Sequence, residues 1–365
     1  MTLSPRSLAE LQEAVAASRP GPLRIRGGGS KRVAARDGAT LDTRGLSGIV
    51  AYNAAECVVT ALAGTPVRDV QRVLADHGQY LPFDPPLAQA GATIGGTVAG
   101  GLSGSCRLRY GGIRDFVIGA AVVDGDGRLV RSGGQVVKNA AGFLLHHALV
   151  GSAGRYGVVG EVAFKVFPAP EACRTVRVAC ASLADAIERG RRLREAMPDL
   201  DALDVDLVDA TVWARLAGAA VALPPRVERA RGAVAGAAVA VLDGDDDRRI
   251  WADGAELAWA PPAATVIKVP TTPGRLASLA GPLVALGRAR AIAAGSAVLV
   301  ATTRPLDDVH AVLEAQASRG VVVRGAACGR ILGGRGAGGA PTFAGGSQLF
   351  DERVRRALDP AGRFA

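Results

Sequence analysis

The chain is poor in the residue types that metal sites, disulfide frameworks and base-stacking surfaces require. Its 365 residues include five cysteines and four histidines, and aromatic side chains make up only 4%. The cysteines lack the C-x-x-C spacing of zinc sites and the closely spaced runs of iron–sulfur ligation, which predicts unpaired thiols. They are Cys57, Cys106, Cys173, Cys180 and Cys328.

Long apolar runs are missing as well. No uninterrupted apolar stretch reaches the roughly 18 residues that span a bilayer. The first residues, "MTLSPRSLAELQEAV", lack a basic region followed by an apolar stretch and a cleavage site. The sequence therefore predicts a soluble, cytoplasmic protein without a transmembrane segment, and any position at the inner membrane is expected to come through a partner.

The net charge of +9, from 43 Lys and Arg against 34 Asp and Glu, raises the question of nucleic-acid binding. The cations are dispersed, nearly all arginine, and not interleaved with aromatics in a recognition motif. We therefore expect no nucleic-acid partner. An acidic cofactor or an acidic protein partner remains compatible with this charge.

The pattern of predicted elements changes near residue 170. Before it, "RSLAELQEAVAAS" predicts a helix capped by Ser7, "PLRIRG" a strand, and "DFVIGAAVVDGDGRLVRSGG" a β-hairpin. After it, strand and helix alternate, and "LDALDVDLVDATVWARL" predicts a strand followed by a helix. We expect an α+β fold with a domain over 1–170 and a cap over 171–330, the cap being an antiparallel sheet with helices on one face. For residues 331–365 the sequence predicts a C-terminal loop and a helix that ends at Asp359 and returns to the first domain.

Glycines are concentrated in three segments of the first domain. The first loop, residues 27–31 of "RIRGGGSK", follows a strand; the second segment is 91–101, "GATIGGTVAGG"; the third is 151–158, "GSAGRYGV". Glycine lets consecutive N–H groups converge on one anion. The first loop fits neither the Walker pattern nor G-x-G-x-x-G, so by itself it predicts either a tight turn or a phosphate cradle.

Together, in this order and spacing, the three segments resemble the FAD-binding domain of the vanillyl-alcohol oxidase and p-cresol methylhydroxylase (PCMH-type) superfamily. Within it, the chain is most similar to the FAD-binding subunits of bacterial glycolate oxidases. "LPFDPP", "GGIRDFVIGA", "KNAAGF" and "EVAFKV" extend the similarity, and "LDPAGRF" resembles the tail that returns to the flavin domain. The resemblance implies a two-subdomain PCMH-type FAD-binding domain followed by an α+β cap.

The resemblance also implies which residues bind FAD. The first loop is expected to hold the pyrophosphate, the second segment to line the flavin and ribityl chain, and the third to lie near the adenine or the isoalloxazine ring. The expected cofactor-binding residues are Gly27, Gly28, Gly29, Ser30, Lys31, Gly91, Ala92, Thr93, Ile94, Gly95, Gly96, Ala99, Gly101, Gly151, Gly154, Gly157 and Val158.

Two departures from the family pattern refine these expectations. Relatives that bond FAD covalently carry a His or Cys in or near these loops, whereas "GGGSKR" has neither, so we expect non-covalent FAD. Related 2-hydroxy-acid dehydrogenases bind a metal through a His-rich motif in the cap. The four histidines here have no such spacing, and we expect no metal; they are His77, His146, His147 and His310.

The similarity implies a flavoprotein oxidoreductase that acts on CH–OH donors in glycolate catabolism, within a hetero-oligomer. Glycolate or a related 2-hydroxy acid would be oxidised, and electrons would pass to an iron–sulfur subunit beside a second flavin subunit. The alternative is an accessory flavin or structural subunit of that complex. A reductase of the UDP-N-acetylenolpyruvylglucosamine type, which shares the flavin fold, is a further alternative that "LDPAGRF" and "KNAAGF" disfavour.

Oxidation of a 2-hydroxy acid needs a base for the hydroxyl proton and a cation for the carboxylate. The sequence does not identify the base. His146 is the only candidate for it beside a flavin motif. Several arginines are candidates for the carboxylate, each equally compatible with a structural role: Arg109, Arg114, Arg324 and Arg330.

Overall fold

The computed structural model describes residues 2–19, 21–31, 38–134, 144–334 and 348–364. The strands are β1 Thr2–Leu3, β2 Leu23–Arg26, β3 Ala39–Asp42, β4 Ile49–Asn53, β5 Val58–Leu62, β6 Gln79–Tyr80, β7 Val117–Val123, β8 Leu129–Gly133, β9 Val158–Lys165, β10 Phe167–Pro168, β11 Ala172–Ala179, β12 Ala202–Asp206, β13 Thr211–Gly218, β14 Ala238–Asp243, β15 Thr265–Pro270, β16 Arg288–Ile292, β17 Ala297–Thr302, β18 Arg319–Arg324 and β19 Ile331–Gly333. The helices are α1 Leu8–Ala17, α2 Val67–Ala75, α3 Ile94–Gly100, α4 Arg107–Tyr110, α5 Leu145–Leu149, α6 Leu183–Ala196, α7 Leu223–Ala233, α8 Gly244–Ala255, α9 Pro273–Val284, α10 Leu306–Ala315 and α11 Gln348–Leu358.

The chain divides into two compact units. The first contains residues 1–102, 112–169 and 340–365, and the second contains 103–111 and 170–339. The division differs from the predicted one at 103–111, a stretch inside the first domain's sequence that belongs to the second unit. No helix among the described residues is long and apolar enough to cross a membrane.

The first unit is built on two main sheets. Strands β1, β3 and β2 form a parallel sheet in that order, and β4, β5, β9, β7 and β8 form an antiparallel one. The predicted hairpin is the β7–β8 pair, and Asp124 closes its turn by accepting the N–H groups of Asp126 and Arg128. The helix predicted at the start is α1, and the Ser7 hydroxyl accepts the N–H of Glu10 as its N-cap.

The second unit is a nine-stranded antiparallel sheet. Its order is β14-β11-β13-β12-β16-β17-β15-β18-β19. Helices α6, α7, α9 and α10 bury their apolar side chains against one face, which forms the core of the unit. Helix α8 is the exception to the prediction of helices on one face, because its Trp251 packs on the opposite side with Trp213 and Cys106. The predicted α+β class and antiparallel cap sheet are confirmed.

One predicted element in the cap is wrong. The second half of "LDALDVDLVDATVWARL", residues 200–216, was expected to be a helix, but residues 211–218 form β13, which pairs with both β11 and β12. Alternate side chains, those of Val212, Ala214 and Leu216, are fully buried in the core. A period of two in buried positions is that of a strand, and the neighbouring strands override the weak helical preference of this alanine-containing sequence.

Candidate cofactor site

The first loop and the second segment are in direct backbone contact in the first unit. A Cβ added to Gly28 would lie 1.6 Å from the carbonyl oxygen of Gly91. A second link is made by Lys31, whose Nζ donates to the carbonyl of Gly96 in α3 at 3.0 Å. The first loop, which follows β2, is therefore fixed against the second segment. The contact is possible because Gly28 has no side chain.

The third segment closes the arrangement. The Gly151 N–H donates to the carbonyl of Val98 at 2.9 Å, and the Ala153 N–H donates to the carbonyl of Ala99 at 2.8 Å, both in α3. Gly154 packs against Ile25 of β2, which leads into the first loop. The three segments that the sequence spreads over more than a hundred residues thus meet at one place.

The first loop differs from the other two segments in its free donors. The N–H groups of Gly28, Gly29 and Ser30 donate no hydrogen bond to any residue that the structure describes. Gly29 has φ of +75°, and a Cβ built there would meet no atom within 4 Å. Consecutive amides around a left-handed residue form a concavity that binds anions. The loop therefore fits a pyrophosphate.

The amides of the second and third segments are used within the protein. Gly95 donates to Ala63 at 2.8 Å, and the Gly96 N–H donates to the hydroxyl of Thr93, which caps α3. Gly154 donates to the hydroxyl of Ser152 at 3.3 Å. These segments consequently offer small side chains and close packing to a ligand rather than N–H donors.

Several of the expected cofactor residues have buried side chains. Ala92 and Ile94 are 1% exposed, and Val158 is fully buried in the core around α1. Their side chains stabilise the unit, so any contact with a cofactor falls to their backbone. The other expected cofactor-binding residues lie in the same three segments, and they include Gly27, Gly101 and Gly157. "KNAAGF", residues 138–143, lies outside the described residues.

The cysteine inside the family's middle segment, Cys106, follows the second glycine segment in the sequence. Cys106 belongs to the second unit, where it is 6% exposed and packs with Ala202, Trp213 and Trp251. The three glycine segments themselves contain neither Cys nor His. Non-covalent attachment of FAD, predicted from the sequence, stays a prediction that this placement supports.

Two of the arginines considered for a carboxylate have partners within the second unit. Arg330 pairs with Asp307 at 3.1 Å on the surface, and Arg324 donates to the carbonyl of Pro261 at 3.3 Å. Arg109 belongs to the second unit and Arg114 to the first.

His146 is held inside the first unit. Its ring is 2% exposed, and its Nδ1 lies 3.0 Å from the hydroxyl of Ser132 on β8. The ring of His147 contacts it edge-on at 4.5 Å between centroids. Burial, with a smaller contribution from charged His147, lowers the pKa of His146 to about 4. His146 is thus a neutral, packed residue at pH 7.

This histidine makes the stability of the first unit sensitive to acid. An unfolded histidine titrates near 6.5, so between pH 6.5 and 4 the unfolded chain takes up a proton that folded His146 does not. Stability is therefore lost as the pH falls through this interval. We expect His146→Gln to lose less stability than the wild type between pH 7 and 4.5, measured by urea unfolding. His77→Gln, at an exposed histidine, is the control; equal pH dependence of all three proteins would contradict this.

Within the described ranges, no group of three or more His, Cys, Asp or Glu side chains is placed to hold a metal ion. Elsewhere, His310 accepts the N–H of Gly333 at 3.0 Å through Nδ1, and its Nε2 lies 3.5 Å from Glu314. That histidine is thus engaged in local contacts of α10.

A small mixed unit with three converging glycine segments and a row of free amides is of the class that binds nucleotide pyrophosphates. Comparison with known proteins makes the class specific. Residues 1–133 match the family model of the FAD binding domain. This match contains the first two glycine segments, and FAD is the cofactor that it indicates for the first unit.

Curated relatives match less than half of the chain. Over 158 residues, 43% of this chain and 45% of the relative, it is 44% identical to glycolate oxidase subunit GlcE of Escherichia coli strain K12. It is 34% identical over 142 residues to glycolate oxidase subunit GlcD of Bacillus subtilis, covering 38% of this chain and 29% of that subunit. It is 30% identical over 170 residues to mitochondrial D-lactate dehydrogenase [cytochrome] 1 of Saccharomyces cerevisiae, covering 46% and 28%. The chain thus spans less than half the length of each of these relatives.

Among solved structures, alkyldihydroxyacetonephosphate synthase has a similar fold. The match covers 100% of this chain and 75% of that one, with a TM-score of 0.71 at 13% identity. At this identity the likeness shows the fold alone.

Proposed function

We propose that this chain is an FAD-binding subunit of a glycolate-type 2-hydroxy-acid oxidase or dehydrogenase complex. It takes part in the oxidation of glycolate or a related acid, and electrons leave to an iron–sulfur subunit that works beside a second flavin subunit. The free amides of Gly28, Gly29 and Ser30, at the meeting point of three glycine segments, carry the FAD part of the proposal. The likeness to glycolate oxidase subunits carries the rest.

The residues of the first unit have distinct tasks in this proposal. The amides of the first loop donate to the pyrophosphate oxygens, and Lys31, anchored on α3, holds the loop in place and adds positive charge. The glycines of the second and third segments allow the backbone to approach the cofactor closely. When bound, FAD supplies the acceptor for the hydride of the CH–OH donor.

One observation favours the alternative of an accessory subunit. The three glycine segments contain no His, Asp, Glu or Cys to remove the hydroxyl proton, Lys31 donates to the carbonyl of Gly96, and Tyr156 is buried. His146, the nearest candidate in the sequence, is buried against Ser132. In the accessory role the chain keeps its FAD, and the second flavin subunit performs the oxidation.

Purification of the tagged full-length chain from its native host tests the proposal. We expect a yellow chain that comes down with a second flavoprotein and an iron–sulfur protein, and a flavin absorbance that bleaches when glycolate or D-lactate is added anaerobically to the complex. Full glycolate turnover by a complex containing an FAD-free variant of this chain would establish the accessory role. A colourless chain, or one that purifies alone, would contradict both roles.

A further inference from the structure

The second unit contains a group of buried N–H donors that lack acceptors. Arg290 on β16 is only 7% exposed, and its Nε has no hydrogen-bond partner in the described part of the chain. The Nε1 atoms of Trp213 and Trp259 lack partners as well. Both indoles border the guanidinium, whose Cζ lies 4.5 Å from the ring centroid of Trp213 and 5.7 Å from that of Trp259.

Such a group is costly in a folded protein unless something else completes it. A buried donor without an acceptor destabilises the folded state, and a buried charge without a partner does so more strongly. Most buried polar groups are satisfied for this reason. All the unsatisfied atoms here are donors and one carries a positive charge, so the missing group is an acceptor with negative charge.

Three acidic side chains act electrostatically on Arg290: Asp204 and Asp206 are committed to other partners, and Asp253 of α8 is exposed. Asp204 accepts the N–H of Ala293 at 3.2 Å and the hydroxyl of Ser105 at 2.6 Å. Asp206 accepts backbone N–H groups of the turn after β12 and pairs with Arg288 at 3.4 Å. The protein's own carboxylates therefore tie down the sheet and leave the Arg290 guanidinium without a direct ion pair.

A second cation stands on the same face of the sheet. Arg290 and Lys268 are both paired with Leu299 of β17, one from each side, and side chains of directly paired residues share a face. Ala289 and Ala291, the neighbours of Arg290, belong to the core on the opposite face. Burial, with repulsion by Arg107, lowers the pKa of Lys268 to about 8, as expected where positive charge is in excess.

We propose that this face of the nine-stranded sheet binds a carboxylate, held by the guanidinium of Arg290 and the indole N–H groups of Trp213 and Trp259. An arginine fork binds a carboxylate in its own plane through two parallel hydrogen bonds, and the two unpartnered indole N–H groups are further donors beside the guanidinium. The identity of the carboxylate as that of a small 2-hydroxy acid rests on the proposed function. The existence of the anion site does not depend on it.

Calorimetric titration of the full-length chain tests the site. We expect sodium glycolate to bind one per chain and glycolamide, its uncharged analogue, to give no heat. Arg290→Gln should abolish the heat of glycolate binding, and Arg290→Lys should weaken it, because lysine keeps the charge and loses the fork. Trp213→Phe and Trp259→Phe keep the ring and delete the N–H, and each should weaken binding about tenfold, the size of one hydrogen bond to a charged group.

The third tryptophan of the chain is the matched control. The Nε1 of Trp251 already donates to the hydroxyl of Thr175 at 2.7 Å, so Trp251→Phe should leave glycolate affinity unchanged. Arg290→Gln should unfold at the wild-type temperature or above it in the absence of glycolate, since it removes an uncompensated buried charge. A lower unfolding temperature would identify Arg290 as structural.

The outcomes separate this proposal from the proposed function. Glycolate binding that persists in Arg290→Gln, or equal binding of glycolamide, would overturn the site. Arg290-dependent binding of glycolate to a chain whose complex turns over no 2-hydroxy acid would uphold the site and reject the proposed function. Binding of sodium phosphate in place of glycolate, with the same dependence on Arg290, would reject the carboxylate assignment.

Discussion

Replacing Gly28 with valine is expected to leave the purified chain without FAD. The new Cβ would lie 1.6 Å from the carbonyl oxygen of Gly91. No side-chain rotation relieves a clash between a Cβ and the backbone. The backbone of the first loop must therefore move away from the second segment. A clash of this kind costs about 3 kcal/mol, or about a hundredfold in FAD affinity if the loop must be restored on binding. Flavin absorbance per chain after gel filtration measures the effect.

The same substitution elsewhere provides the control. A Cβ at Gly281 in α9 would meet no atom within 4 Å, so Gly281→Val should keep its full flavin content. The chain's three tryptophans, Trp213, Trp251 and Trp259, all lie in the second unit, and their fluorescence shows whether that unit stays folded in Gly28→Val. Full flavin content in Gly28→Val would refute the role of this loop.

The sequence predicted which glycine segments share a site, but not why each glycine is needed. Convergence of N–H groups on an anion was the expected reason for the glycines of the first loop, and the structure adds the close approach of Gly28 to Gly91. The free donors at Gly28, Gly29 and Ser30 could not be told from the engaged donor of Gly95 by sequence, because hydrogen-bond partners depend on which segments fold together. Residue type identified the segments, and only tertiary contact assigned their tasks.

The secondary structure, too, was predictable only in part. Elements with a local signal were predictable, such as α1 with its Ser7 cap and the hairpin turn at Asp124. Helix α3 could not be predicted, because glycine is a poor helix former. Tertiary contacts, such as the hydrogen bond from the Gly95 N–H to the carbonyl of Ala63, stabilise it. Arg290, a single arginine among many, became visible as a candidate site only through the indoles that the sheet places beside it.

The C-terminal "LDPAGRF" has a clear structural task in the first unit. Arg363 is 2% exposed, and its guanidinium donates to the carbonyls of Val15 at 3.0 Å and Gly125 at 2.9 Å, and to the hydroxyl of Ser18 at 2.7 Å. Val15 lies in the last turn of α1, where carbonyls lack helical partners and a cation is favoured. Asp359 accepts the N–H of Arg363 at 2.9 Å and fixes the bend that brings it there.

Arg363→Met should therefore destabilise the first unit strongly. Methionine fills much of the same space but donates nothing, so the carbonyls of Val15 and Gly125 and the Ser18 hydroxyl lose their buried partner. Leaving such groups unsatisfied costs about 3 kcal/mol in total, which urea unfolding of the full-length chain measures. Arg356→Met, at an exposed arginine of α11, should change stability little. If both variants unfold at the wild-type urea concentration, the tail is not what closes the first unit, and its similarity to the family's returning segment has another cause.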